Sequence, residues 1–262
     1  MSFPSTIAGL NELPPDQKRE SYSKIIPPEL LEMYGVNEEL RAPDGTDLFQ
    51  LHCIPGTADA ELALYHEPGA QDPLIFGHLT DTIHGQIHIL LYGMNDIHSP
   101  RYDVDRMPDG TKTGFGTNQR NLEEERKALE AGLAPGQIYR GPHLFKESLR
   151  QFEEFVACMN QDLFFVEPLF YHVAIIFERY HFQYQKGKRF MKRINEGFSS
   201  GGDLRALLDG STPFRDPSAA DQIRLRSWAL HDNLLGEPFS NVTMYKYIDP
   251  EQTRCKEPPL PW

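Results

Sequence analysis

The stretch Asp162 to Tyr184, DLFFVEPLFYHVAIIFERYHFQY, governs the reading of the whole chain. Leu163 to Val166 is a short apolar run with aromatic and β-branched side chains, which is the chemistry of a buried strand. Pro168 removes a backbone donor and biases Glu167 toward extended angles, so the strand ends there. From about Phe170 to Tyr180 the apolar density predicts a short helix, and Phe182 to Gln185 predicts a second strand.

Working outward, Leu48 to Ile54, Glu61 to His66, Pro73 to Thr80 and Gln86 to Gly93 are apolar or alternating runs bounded by Gly, Pro and Asp. Four such runs in succession predict an antiparallel meander. A turn-rich loop over Pro108 to Asn121 is long enough to be functional or mobile. Asn121 is placed to cap a helix over Leu122 to Ala131, with Glu123, Glu124 and Glu125 near the positive end of its dipole and Gly132 as its stop. Leu144, Leu149, Phe152, Phe155 and Val156 recur at helical spacing, which predicts an amphipathic helix over Pro142 to Met159 with its apolar face on the sheet. Lys188 to Glu196 and Asp203 to Leu208 read as further helices and Val242 to Ile248 as a late strand. Ile223 to His231 fits either a strand or a helix.

The fold class that follows is α+β, a mixed, mainly antiparallel sheet flanked by helices. Prolines at positions 4, 14, 15, 27 and 28 argue against long regular structure, so residues 1–29 are expected to be an arm. Residues 30–248 are then a single domain and the Pro-rich residues 249–262 a tail. The two Pro-rich ends offer a route to a homo-oligomer.

At 262 residues, with 39% hydrophobic and 24% charged side chains, the composition is globular. The net charge of -12 opposes a nucleic-acid surface, although a local basic patch remains compatible with it. Cys53, Cys158 and Cys255 are scattered and odd in number, giving neither a disulfide framework nor a zinc knuckle. No run approaches the ~18 apolar residues of a membrane span. The expectation is a cytoplasmic protein acting on a small molecule, away from membranes and nucleic acid.

Strands, a helix approached through Arg140-Gly141, a buried strand, and a helix ending in Ile176-Phe177-Glu178-Arg179-Tyr180-His181-Phe182 resemble the core of the GNAT N-acetyltransferase superfamily over residues 135–185. A late signature of roughly leucine-tyrosine-glutamate-lysine-x-glycine-phenylalanine is common in that family. The resemblance implies acetyl-CoA or another acyl-CoA as cofactor and transfer of its acyl group to a small amine or polar substrate. It places Gln137, Arg140, Gly141, Pro142 and His143 at the pyrophosphate, where amides opening a helix receive an anion. Where the family often has a proton-donating Tyr, this chain has Phe177, which leaves Tyr180 or Tyr184 to supply the proton. A non-catalytic relative serving binding or assembly is the third class.

Read without the resemblance, several constellations stand out. Glu178 and His181 are three apart, as in carboxylate-bridged metal sites, or they form a salt-bridged helix end. His78, His84 and His88 could gather around a divalent metal, or His84 and His88 could be solvent-facing hairpin histidines. Asp81 and His84 beside them are candidate catalytic groups, as is His98. Asp96, Arg101 and Asp105 could grip a polar substrate, or an Arg-carboxylate pair could fix the loop. Asn118, Arg120 and Asn121 extend that polar surface. Ser211, Thr212 and Arg215 could take a phosphate or form a tight turn, while Trp228, His231 and Asp232 could line a cleft or close the core. No Gly-x-Ser-x-Gly elbow is present, which lowers the standing of a serine hydrolase.

Overall fold

The computed structural model describes residues 3–114, 116 and 118–249. In chain order the first elements are α1 (Ile7–Asn11), α2 (Pro15–Ser23), α3 (Pro28–Tyr34), β1 (Phe49–Cys53), β2 (Asp59–Leu64), β3 (Ile75–Asp81) and β4 (Ile87–Met94). Then come α4 (Leu122–Glu130), α5 (Phe145–Cys158), β5 (Leu163–Val166), α6 (Tyr171–Arg179), β6 (Gln183–Lys186) and α7 (Lys188–Gly197). The last are α8 (Asp203–Ala206), α9 (Ile223–His231) and β7 (Thr243–Tyr247). The expected α+β class is what the chain adopts, with one seven-stranded mixed sheet in the order β1-β2-β3-β4-β5-β7-β6.

Two compact units interleave along the sequence. Of the described residues, the first comprises 3–96, 141–166 and 245–249, the second those of 97–140 and 167–244. In the first, β1 to β4 form the antiparallel meander, and β5 joins β4 in parallel. Alternation of buried and partly exposed residues along β2 and β3 puts Ala60, Leu62 and Leu64 with Ile75 and Leu79 on the packed face.

The N-terminal residues expected as an arm are folded into this unit. Ile7, Leu10, Tyr22 and Ile25 are fully buried, and the Asn11 amide donates to the carbonyls of Thr57 (2.9 Å) and Asp59 (3.0 Å). Pro14-Pro15 and Pro27-Pro28 stand at the starts of α2 and α3, where a missing N–H breaks no helical bond. The prolines therefore delimit helices here rather than prevent them. The tail from residue 250 on, with Cys255 and Trp262, lies outside the described residues. Cys53 is a free thiol, while Cys158 is disulfide-bonded.

The second unit packs Val104, Ala128, Leu133, Ile138, Phe214 and Trp228 into one cluster. Trp228 is fully enclosed, stacks on Phe214 (5.2 Å between centroids) and donates its indole N–H to the Leu133 carbonyl at 2.8 Å. Ile223 to His231, ambiguous in sequence, is helical because it presents Ser227, Trp228 and Leu230 to the interior. Its α6 helix ends in a Schellman motif: the His181 N–H donates to the Glu178 carbonyl and the Phe182 N–H to that of Phe177. Phe177 and Phe182 stack at 4.8 Å across that end, and His181 holds the left-handed conformation (φ 67°) that glycine adopts most cheaply. Among the described residues no helix is long and apolar enough to cross a membrane.

Candidate functional site

In the first unit β4 runs on past the end of its neighbour β5. β3 and β4 are in register from Ile75↔Met94 to His78↔Leu91, after which Leu79 faces Ile89. Leu90 is therefore the extra residue of a bulge, a device that bends a strand and raises its local twist. β4 pairs with β5 through His88↔Phe165 and Ile89↔Val166 alone, and the pairing stops where the bulge begins. β5 itself ends at Val166, two residues before Pro168. The stretch from Leu90 to Met94 thus runs on beyond the paired residues of β5.

Helix α5 lies along β4 with its start over this open half. The Ser148 hydroxyl donates to the Met94 sulfur at 3.1 Å, and Tyr92 meets Phe152 edge-on at 4.7 Å. Gln161, just past the helix, accepts from the Ile87 N–H (3.1 Å) and donates to the Gly85 carbonyl (2.8 Å) at the other end of β4. The start of α5 has no side-chain cap at Leu144. Gly141 has nothing within 4 Å of where a Cβ would stand, Pro142 is buried, and His143 is exposed on a left-handed backbone (φ 61°). Against an anion stands Glu147 in the first turn. Asp96, just beyond the open end of β4, accepts a hydrogen bond from the Tyr34 hydroxyl at 2.9 Å. Burial, then that carboxylate, push the Tyr34 phenol well above its ordinary range.

The other candidates of this unit sit at the far end of β4. Asp81 receives the Ile7 N–H (2.7 Å) and the Ala8 N–H (2.9 Å), fastening α1 to the hairpin. His84 is exposed at the hairpin tip, beyond Ile87, which is itself about 23 Å along the strand from Met94 by the rise per residue. His78 pairs with Asp59 at 2.6 Å, and His88 meets Phe165 edge-on at 6.2 Å. The three histidines do not assemble a metal site; among the described residues no group of three or more His, Cys, Asp or Glu side chains could hold an ion. Glu178 accepts from Tyr184 at 2.8 Å while exposed His181 sits at the helix-end turn, so the Glu-x-x-His spacing is a helix terminus.

In the second unit Gln137 accepts from the Ala134 N–H (2.7 Å) and Arg140 donates to the Ala131 carbonyl (3.1 Å), so both side chains close the turn after α4. Arg101 grips both oxygens of Asp105 at 3.0 Å and pairs with Asp103, which is the loop-fixing alternative for that stretch. His98 is exposed, and Tyr180 is the residue that caps α6.

The densest buried chemistry of this unit was legible in sequence only as separate pieces. Glu125, with 2% of its side chain exposed, accepts from the Arg120 Nε at 2.8 Å and lies 3.1 Å from His231 Nε2. Arg120 reaches Asp232 at 2.7 Å, and Asp232 also takes Thr212 (2.8 Å) and Arg215 (3.0 Å). Burial pushes both carboxyls up, but the hydrogen bonds outweigh it: His231 and Arg120 hold Glu125, and Arg120 and Thr212 hold Asp232, below the usual range. Burial, reinforced by His231, drives the His172 pKa down to about 3, and its Nδ1 lies 2.9 Å from the Ser227 hydroxyl. Gly116 (φ 80°) backs the pair so closely that a Cβ would stand 2.7 Å from His231 Nε2. The missed member is Glu125, read as a dipole-favouring glutamate; its place three residues before buried Ala128 on α4 was the available signal. Glu125, Asp232, Arg120 and Arg215 each bond to another member of this cluster, which is the arrangement of a structural core.

No family model, curated protein or solved structure matches the chain.

Proposed function

We propose that the protein is an acyl-CoA-dependent N-acyltransferase of the GNAT type, acting on a small amine or polar substrate. The observation that carries this reading is the end of β4–β5 pairing at Ile89, next to the Leu90 bulge and beside the start of α5. A strand edge left unpaired offers backbone N–H and C=O groups to an extended, amide-containing arm, and amides opening a helix offer donors to a pyrophosphate. Gly141 would let a phosphate approach, and exposed His143 would stand beside it. When bound, acyl-CoA supplies an activated thioester to an amine. Asp96, at the open end of β4, is the carboxylate best placed to accept the proton that the amine loses on attack. Asp81 is tied to two amides of α1 and His84 sits at the far hairpin tip, so Asp96 replaces them in this reading. Phe177, stacked within the end of α6, has no proton to give, and the departing thiolate would take up the proton that the amine releases.

Calorimetric titration with acetyl-CoA tests the reading. Binding to the folded state raises stability by mass action, by about 2.7 kcal/mol at a hundredfold excess over Kd. Gly141→Asp, which brings a negative charge to the helix start into open space, is expected to abolish that binding with the melting temperature of the free protein unchanged. No heat and no stabilisation at about 1 mM acetyl-CoA, far above an ordinary cofactor Kd, would defeat the proposal.

A further inference from the structure

The net charge of -12 is unevenly shared. Among the described residues the first unit holds 20 Asp and Glu against 7 Lys and Arg, whereas the second holds 16 against 17. The second unit is therefore close to neutral, and its cations are not spread evenly. Lys186, Lys188, Arg189, Lys192 and Arg193 are all exposed and crowd onto β6's end and α7. Met191 and Ile194 bury the opposite face of that helix. On the outer face Lys188 and Lys192 form one row and Arg189 and Arg193 another, each with about 6 Å between members.

Little neutralises them. Lys192 lies 3.5 Å from Glu196, and Lys186 donates to the Asn241 amide oxygen at 2.9 Å. Lys188, Arg189 and Arg193 make no ion pair among the described residues. Their placement also works against the helix. The first turn of α7 has no acidic residue and no side-chain cap, and carries Lys188 and Arg189 where the positive end of the dipole repels them. Phe190 and Phe239, both partly exposed, pair at 5.7 Å beside these cations.

We propose that this face of α7 is a docking surface for the phosphodiester backbone of single-stranded RNA. Cations held against local repulsion are relieved by a polyanion, whose condensed counterions are released on contact. The 6 Å rows suit successive phosphates, and the Phe190–Phe239 pair offers a ring for a base to stack on. A lipid surface fits less well, because membrane helices of this charge insert an apolar face and that of α7 is spent in the core.

The test is fluorescence anisotropy of a labelled oligouridylate of about 20 nucleotides in about 50 mM salt, with its salt dependence. Binding is expected to weaken on adding salt with a log–log slope of about -3, the value for four phosphates on a single strand. A variant combining Lys188→Glu, Arg189→Glu, Lys192→Glu and Arg193→Glu is expected to lose at least tenfold in affinity with an unchanged circular-dichroism melt. If that variant melts early, the milder pair Arg189→Gln and Arg193→Gln is read instead, with a loss of at least threefold expected. Absence of binding by the intact protein overturns the proposal. So does binding that these variants leave untouched, or retention on phosphatidylserine vesicles without any on the oligonucleotide.

Discussion

The two units are held together by different physics. The first is a strand meander closed by apolar side chains, and ion pairs such as Arg150 and Glu29, 55% and 39% exposed at 2.8 Å, lie at its surface. The second has taken charge inside, where Arg120 links the carboxylates of Glu125 and Asp232 under the loop around Gly116. An exposed pair is worth little because water competes for it, while a buried one is expensive to break, because the partner left behind is a desolvated charge. Stability in the first unit should follow buried area, and stability in the second should follow the integrity of one network.

The largest effect expected from this contrast is that of Arg120→Met, which takes the shared cation from two buried carboxylates and should cost about 3 kcal/mol in urea unfolding. Arg150→Met in the first unit should cost at most about 1 kcal/mol. Equal losses from the two would end the distinction. Next in size is Gly116→Ala, expected to cost about 2–3 kcal/mol, because the methyl group meets His231 and Glu125 and the backbone is left-handed. A variant as stable as the parent would show that the loop does not press on the pair.

Acid should separate the units. Glu125 and Asp232 have folded pKa values below the ordinary one, so the stability they contribute is present above about pH 4 and is lost as pH falls through the folded values. In the first unit burial raises Asp81 over the opposing Ile7 and Ala8 amides, and raises Glu153 over the opposing Lys246. A raised carboxyl has the opposite sign: its stability is present below the unfolded value and is lost as pH rises through the folded one. Hydrogen exchange followed from pH 6 to about 3, corrected for intrinsic rates, should show the second unit losing protection first. Parallel loss in both units would contradict the assignment.

The smallest effect is a gain. His181→Gly removes a side chain from a left-handed residue and should stabilise the second unit by about 0.5–1 kcal/mol, read as a shift in the urea midpoint. A loss would mean that the imidazole makes a contact worth more than the strain.

Periodicity carried most of the fold. The strand at Leu163–Val166, the helix predicted over Pro142 to Met159 and found at Phe145–Cys158, and the four meander strands all announce themselves through local hydrophobic spacing. The N-terminal helices did not, because proline was weighed as a breaker when Pro14-Pro15 and Pro27-Pro28 occupy the one helical position that needs no N–H. Sites were far less legible. Asp81, attractive beside His84, turned out to be tied to two amides of α1 more than seventy positions away, and nothing in its neighbours foretold that.

By itself, then, the sequence determined the elements and the α+β class, since strand and helix periods are properties of neighbouring residues. It also determined the overall acidity. Only the tertiary structure decided that the acidity belongs mainly to one unit, that Leu90 is a bulge in β4 where its pairing with β5 ends, and that Glu125 meets His231 across more than a hundred residues. Register and burial arise from pairings between distant segments, and they, rather than the identity of a residue, set which charges are paired and which backbone groups are left unpaired.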